Sequence, residues 1–76
     1  MNRRELEVKK KYEDEGWKVL RNGAPDFVMF KVENNKIIEI EAVEVKCPNG
    51  KLSYEQKVWK EICNKAKIKY KIEVIK

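Results

Sequence analysis

The sequence predicts an α/β fold in which a small mixed sheet is flanked by two helices. Three observations support this fold class. Two capping boxes open segments with helical periodicity, the segments between them have the composition of strands, and the last segment alternates between apolar and charged residues. The predicted order of elements is αβββαβ, in a single domain spanning residues 1–76.

The first predicted helix begins at Asn2, which forms a capping box with Glu5, and it runs to Gly16, a residue that commonly ends helices. On the helical wheel Glu5 falls in the same arc as Val8 and Tyr12. We therefore expect the Glu5 carboxylate to face inward.

Three strands follow the first helix. β-Branched and aromatic residues favour strands at residues 17–21, 26–32 and 37–46. Turn-forming residues separate these strands at 22–25 and at 33–36, and the second of these turns closes a hairpin. Pro48, Asn49 and Gly50 end the third strand.

A second capping box, formed by Ser53 and Gln56, opens the second helix. An apolar stripe follows, which we expect to lie mostly in the core: Val58, Trp59, Ile62, Cys63 and Ala66. Residues 68–74 alternate strictly, which predicts a strand with one buried and one solvated face. Because a helix joins the third and fourth strands, they can lie parallel, with that helix packed across the sheet.

Composition narrows the possible functions. A net charge of +5 and a pI near 9.3 favour nucleic acid, and secondarily anionic lipid, as partners, while a charged fraction of 41% is also typical of thermophilic proteins. The chain has no histidine, and its two cysteines lack zinc-ligand spacing. Histidine acid–base chemistry and the usual zinc sites are therefore excluded.

Length and hydropathy predict the localisation and the oligomeric state of the protein. No apolar run approaches the roughly 20 residues of a membrane span, so we expect a cytoplasmic protein with no membrane contact. A chain of 76 residues buries a small core and has no disulfide framework. Small domains of this kind are commonly stabilised by assembly, and we expect a homodimer.

Three charged residues form a candidate site. Glu44 and Lys46 are two apart on the third strand and so share a face, while Asp26 begins the neighbouring strand. A register that places Asp26 beside Glu44 brings two carboxylates to one hard cation such as Mg²⁺, with the Val45 carbonyl as a further oxygen ligand. Taken singly, these residues also fit a surface ion pair and an aspartate after a turn proline.

The combined motifs resemble a known nuclease family, the VRR-NUC branch of the PD-(D/E)XK nucleases. The resemblance rests on Gly-Ala-Pro-Asp at 23–26, Glu-Val-Lys at 44–46 and Gly-Lys-Leu-Ser at 50–53, with Gln56 and Trp59. It covers roughly residues 5–74 and implies a restriction-endonuclease-like core. The chain more distantly resembles archaeal Holliday junction resolvases, but it lacks their longer serine-containing loop.

The resemblance implies a nuclease that hydrolyses DNA phosphodiester bonds with Mg²⁺ or Mn²⁺ in replication, repair or recombination, and that is structure-selective if it acts on junctions, flaps or nicks. By motif position, Asp26 and Glu44 are the metal-binding carboxylates, Lys46 is the catalytic lysine, and Gln56 begins the helix after the active-site strand. Glu5 resembles an additional helix-one metal ligand. Helix capping is the competing explanation for both Glu5 and Gln56.

Cations around this site are expected to bind phosphates: Arg3, Arg4, Lys9, Arg21, Lys51 and Lys57. DNA is the expected partner, although the sequence does not separate DNA from RNA. Two other functions fit the sequence. One is a non-catalytic basic DNA-binding module whose carboxylates hold the fold, and the other is an interaction subunit that dimerises through exposed strands or Trp59.

Overall fold

The computed structural model describes residues 2–75, which form two helices and one four-stranded mixed sheet. The elements are α1 (Arg3–Asp14), β1 (Lys18–Arg21), β2 (Phe27–Glu33), β3 (Lys36–Lys46), α2 (Tyr54–Lys65) and β4 (Lys69–Val74). Both the predicted element order and the predicted mixed sheet with two helices are confirmed. Met1 and Lys76, the ends of the predicted domain, lie outside the described residues. Neither helix is long and apolar enough to cross a membrane.

The strands lie in the order β1-β2-β3-β4. The first three are antiparallel neighbours, and β4 is parallel to β3, as expected for strands joined through a helix. Phe27 pairs with Val43 at the end of the β2–β3 ladder that leads to the candidate site. At the other end, the register shifts between Lys31 and Val32, which marks a β-bulge in this hairpin.

The main core lies between α1 and one face of the sheet. Its buried side chains are Val8, Tyr12, Phe27, Met29 and Val43. Both predicted capping boxes are present, so each helix begins where the sequence indicated. Trp17 packs against this core, with the Lys31 ammonium 4.6 Å from its ring centroid.

The opposite face of the sheet is covered only in part, and the predicted burial of the α2 stripe is wrong. Cys63 is buried, whereas Trp59 is 37% exposed and Ile62 is 48% exposed. The reason is tertiary: α2 packs against β4 at one edge of the sheet rather than across all four strands. An amphipathic pattern determines which residues share a face of a helix. It does not determine how much of that face is buried against the sheet.

The predicted alternation of β4 is also wrong in its burial. Ile72 and Val74 are exposed, whereas Glu73 between them is half-buried. Glu73 accepts hydrogen bonds from the Lys11 ammonium at 2.7 Å and the Tyr12 hydroxyl at 3.0 Å, so α1 covers the charged face of this strand. The apolar face is left open because α2 does not extend over these two side chains.

Candidate active site

The β2–β3 register places Asp26 beside Glu44, as predicted. Asp26 stands one residue beyond the Phe27–Val43 pair, and its Oδ2 accepts a hydrogen bond from the Val45 amide at 2.8 Å. The Asp26 carbonyl in turn accepts from the Asn22 amide at 2.9 Å, which closes the loop between β1 and β2. The Asp26 carboxylate is therefore fixed by its own loop and by β3.

Pro25 explains why the main chain of Val45 is open at this point. The β2–β3 ladder ends at the Phe27–Val43 pair, so it gives Val45 no partner on the Asp26 strand, and Pro25 immediately precedes Asp26. Proline has no N–H, so the ladder supplies no donor to the Val45 carbonyl, and the Asp26 side chain takes the place of a main-chain acceptor for the Val45 amide. The Val45 carbonyl is thus directed toward the Asp26 strand without a ladder partner.

Glu44 is a fully buried carboxylate, with 0% of its surface exposed. Its Oε2 accepts a hydrogen bond from the Gln56 side-chain amide at 3.1 Å, while its Oε1 has no hydrogen-bond partner among residues 2–75. Burial, and after it the adjacent Asp26, raise the pKa of Glu44 to about 7, against the opposing effects of Tyr70 and Lys46. Two carboxyl groups thus share a site where holding two negative charges is costly.

Gln56 completes the α2 capping box and also contacts Glu44. Its side-chain carbonyl accepts a hydrogen bond from the main-chain amide of Ser53 at 2.9 Å. The main-chain amide of Gln56 donates to the Ser53 hydroxyl at 3.2 Å, which completes the capping box. Its side-chain NH₂ then donates to Glu44. The start of α2 is therefore tied directly to the buried carboxylate.

Tyr70 is a member of this site that sequence reasoning missed. Its hydroxyl is buried and has no hydrogen-bond partner in the described part of the chain, and its pKa is raised by burial first and then by the nearby Glu44 charge. Tyr70 lies on β4 opposite Ala42, two residues before Glu44 on β3. Its position on the apolar face of the predicted strand was visible in the sequence, but the β3–β4 register was not.

An open cleft of about 360 Å³ lies beside Asp26 and brings most of the predicted site together, although the buried Glu44 does not line it. Its lining residues are Asn2, Arg4, Glu5, Asp26, Val45, Lys46, Cys47, Gly50 and Gln56. Gly50 packs closely there, because an added Cβ would meet the Lys46 side chain and the Cys47 carbonyl, each at 3.2 Å. The turn after β3 therefore confines the stem of Lys46.

Glu5 lines the cleft, but its carboxylate is used by the α1 capping box. Its Oε2 accepts from the Asn2 amide at 3.3 Å, and its amide donates to the Asn2 side chain at 2.8 Å. Across residues 2–75, the structure has no group of three or more His, Cys, Asp or Glu side chains arranged to hold a metal ion. In this structure Glu5 does not join Asp26 and Glu44 in a three-carboxylate set.

The predicted phosphate-binding cations are dispersed around the molecule. Arg4 lines the cleft, and Arg3 lies beside it on α1 but pairs with Glu7 at 3.7 Å. Lys9 is held by Glu13 at 2.9 Å. The remaining three are exposed, at the end of β1, in the loop before α2 and in the first turn of α2: Arg21, Lys51 and Lys57.

A basic groove between α2 and β4 is the second feature that the sequence did not reveal. This cleft of about 640 Å³ is lined by four lysines, Lys57, Lys60, Lys65 and Lys69, with Glu61 as its one acidic residue. None of the four takes part in an ion pair among the described residues. The spacing of Lys57, Lys60 and Lys65 along α2 could have indicated a basic side of this helix. The packing of α2 on β4, which adds Lys69 to the groove, could not be read from the sequence.

Comparison with known families agrees with this geometry. The VRR-NUC domain family matches residues 3–75, nearly the whole chain. No curated protein and no solved structure matches the chain significantly.

Proposed function

Because this chain belongs to the VRR-NUC family, and so carries a nuclease-type domain of the PD-(D/E)XK superfamily, we propose that it is a Mg²⁺- or Mn²⁺-dependent nuclease that hydrolyses DNA phosphodiester bonds. The single observation that carries this proposal is the carboxyl pair of Asp26 and Glu44, in which Glu44 is buried and Asp26 lines a cleft with Lys46 on its wall. A buried acid with an unpartnered oxygen is costly unless something binds it.

The donor set of the pair suits a hard divalent cation. Two carboxylates and the open Val45 carbonyl offer oxygen ligands, which Mg²⁺ prefers, and Mg²⁺ sites usually retain waters that a substrate phosphate replaces. The unpartnered Oε1 of Glu44 and the raised pKa of its carboxyl group are the features a cation would relieve. A bound ion would supply an acidified water and stabilise the charge on the phosphate oxygens.

The chain's own residues have distinct roles in this proposal. Gln56 donates to Glu44 and so orients its carboxylate, while the Val45 amide orients Asp26. Lys46 is on the same strand face as Glu44 and lines the cleft, where its ammonium can orient the attacking water or neutralise developing negative charge. Gly50 keeps the Lys46 stem in place. We include Glu5 only as a capping residue at the rim.

The basic groove supports a polyanionic substrate. Four lysines that form no ion pair within residues 2–75 line it, and three of them, Lys57, Lys60 and Lys65, lie on α2, whose first turn carries Gln56 at the site. Dispersed lysines recognise the phosphate backbone without reading bases, so we propose DNA binding that depends on backbone charge and shape. Action on junctions, flaps or nicks is a finer form of this proposal, which a substrate panel tests.

The test is cleavage of end-labelled duplex, single-stranded, flap and four-way-junction DNA, with Mg²⁺, with Mn²⁺ and with a chelator. Wild type is compared with Asp26→Ala and with a matched control, Asp14→Ala, at the chain's only other aspartate, which ends α1. We expect metal-dependent cutting by wild type and the control, and none by Asp26→Ala. A parallel RNA panel decides whether the activity is confined to DNA.

Two outcomes would contradict the proposal. If wild type cuts no substrate in any metal, while it and Asp26→Ala bind DNA with the same salt dependence, the chain is a non-catalytic binding module. If Asp26→Ala cuts as fast as wild type, the carboxyl pair is not the active site.

A further inference from the structure

Two buried oxygen atoms at the candidate site lack a hydrogen bond. Among residues 2–75, the buried side-chain polar atoms without a hydrogen-bond partner are Oε1 of Glu44 and the hydroxyl of Tyr70. A buried polar atom without a partner is costly, and native proteins contain few of them. Because one of these atoms is a hydrogen-bond acceptor and the other carries a donor proton, we looked for a common explanation of the two.

The register of β3 and β4 brings these two side chains together. Tyr70 lies opposite Ala42, and Ala42 is two residues before Glu44 on β3, so all three side chains are on one face of the sheet. Burial raises the pKa of both Glu44 and Tyr70, Tyr70 counteracts the rise at Glu44, and the Glu44 charge adds to the rise at Tyr70. The hydroxyl is therefore adjacent to the Glu44 carboxyl group, although it is not aligned on Oε1 as a hydrogen bond.

The surroundings of Glu44 provide one donor for each of its two oxygens. Gln56 donates to Oε2 at 3.1 Å, from the first turn of α2. An ionised carboxylate only accepts hydrogen bonds, so a tyrosine hydroxyl beside it acts as the donor. Ile72 lies opposite Glu44 on β4, and its apolar side chain offers no competing donor. The two donors therefore come from α2 and β4, which pack on each other.

We propose that Tyr70 is a positioning residue, whose hydroxyl donates to Oε1 of Glu44 when this carboxylate binds a divalent cation. The inference rests on the proposed function, because it concerns the cation that Asp26 and Glu44 would hold. A carboxylate oxygen has more than one lone pair, so Oε1 can accept from Tyr70 and still ligate the ion. Hydrogen bonds of this kind fix the orientation of a ligand carboxylate, and their loss weakens metal binding by roughly 10- to 100-fold.

Tyr70 also connects two parts of the molecule. It lines the basic groove between α2 and β4, whereas its hydroxyl is buried beside Glu44. The competing explanation is that the aromatic ring only fills the space between α2 and the sheet. A phenylalanine would fill that space equally well, so the two explanations differ in the effect of removing the hydroxyl alone.

The test is the Mn²⁺ affinity of wild type, Tyr70→Phe and the matched control Tyr54→Phe, measured at pH 8 from the paramagnetic resonance signal of the free ion. The control removes the same hydroxyl from a side chain that is 82% exposed. We expect the dissociation constant to rise about tenfold or more in Tyr70→Phe and to stay unchanged in Tyr54→Phe. In a chelator, Tyr70→Phe should unfold at no lower temperature than wild type, because the hydroxyl that it removes makes no hydrogen bond within residues 2–75.

Nuclear magnetic resonance of wild type labelled with ¹³C at the tyrosine Cζ atoms provides a second measurement that is independent of cleavage. The chain has three tyrosines, so the spectrum is simple, and the Tyr→Phe variants assign it. The Tyr12 hydroxyl already donates to Glu73, which makes Tyr12 the internal control. Mg²⁺ should shift the Cζ resonance of Tyr70 and leave that of Tyr12 in place.

Three results would overturn the inference while the proposed function stands. The first is a Tyr70→Phe variant that binds Mn²⁺ as tightly as wild type, and the second is a Tyr70 resonance that Mg²⁺ does not shift. The third is a variant that loses metal affinity and thermal stability together, because the hydroxyl would then only hold the fold. Failure of wild type to bind Mn²⁺ would instead contradict the proposed function, and this inference with it.

Discussion

Replacing Glu44 by Gln should stabilise the metal-free protein at high pH while it abolishes activity. Gln has nearly the shape of protonated Glu44, and its side chain can accept from Gln56 and donate toward Asp26. It removes the cost of burying a second negative charge beside Asp26. The same substitution removes a proposed metal ligand, so stability and function should change in opposite directions.

The size and pH range of this effect follow from the pKa of Glu44, which burial and Asp26 raise from 4.5 to about 7. A raised pKa means that the folded state holds the proton more tightly than the unfolded state. The stability from Glu44 is fully present below pH 4.5 and is lost as pH rises through 7. At 1.36 kcal/mol per pH unit, the loss at pH 8 is at most about 3 kcal/mol.

The assay is thermal unfolding of wild type and Glu44→Gln in a chelator, between pH 4.5 and 8, at one protein concentration. The midpoint of the variant should rise above that of wild type with increasing pH, by roughly 4–8 °C per kcal/mol. Saturating Mg²⁺ at pH 8 should stabilise wild type but not the variant. A variant no more stable than wild type at pH 8 would refute the reasoning about the buried pair.

Three further substitutions test the parts around the pair. Gln56→Glu keeps the oxygen that accepts from the Ser53 amide but loses the NH₂ group that donates to Glu44. Cleavage should therefore fall at least tenfold, while circular dichroism shows that α2 is intact. Unchanged cleavage would mean that Gln56 serves only as a capping residue. Gly50→Ala should lower kcat more than KM, because its Cβ displaces the Lys46 stem; an unaltered kcat would mean that the turn does not position Lys46. The double variant Lys60→Ala, Lys65→Ala removes two cations from the basic groove. The slope of log affinity for duplex DNA against log salt concentration should become less steep by about 2, whereas alanines at both Lys10 and Lys36 should leave it unchanged. Equal slopes in both double variants would mean that DNA binds outside the basic groove.

The carboxyl pair could be predicted from sequence because short-range rules determine it. A hairpin fixes the register of β2 on β3, and the period of two on a strand puts Glu44 and Lys46 on one face. Both helix starts followed from their capping boxes. These features depend on neighbours within about twenty residues along the chain.

The features that could not be predicted depend on how α2 and β4 dock. The contact of Tyr70 with the Glu44 environment and the position of Lys69 in the basic groove both require the register of a parallel strand reached through a helix. The exposure of Trp59 and Ile62 depends on how far α2 extends across the sheet. Helical periodicity in one chain does not distinguish a stripe that meets its own sheet from one that meets a partner.

The central claim, that Asp26 and Glu44 bind the divalent cation on which catalysis depends, is tested most directly by Mn²⁺ binding. Free Mn²⁺ is followed by its paramagnetic resonance signal as wild type, Asp26→Ala or Asp14→Ala is added at pH 8. The account predicts that wild type and Asp14→Ala remove Mn²⁺ from solution and that Asp26→Ala does not. Binding that is absent from wild type, or equal in all three proteins, would contradict it.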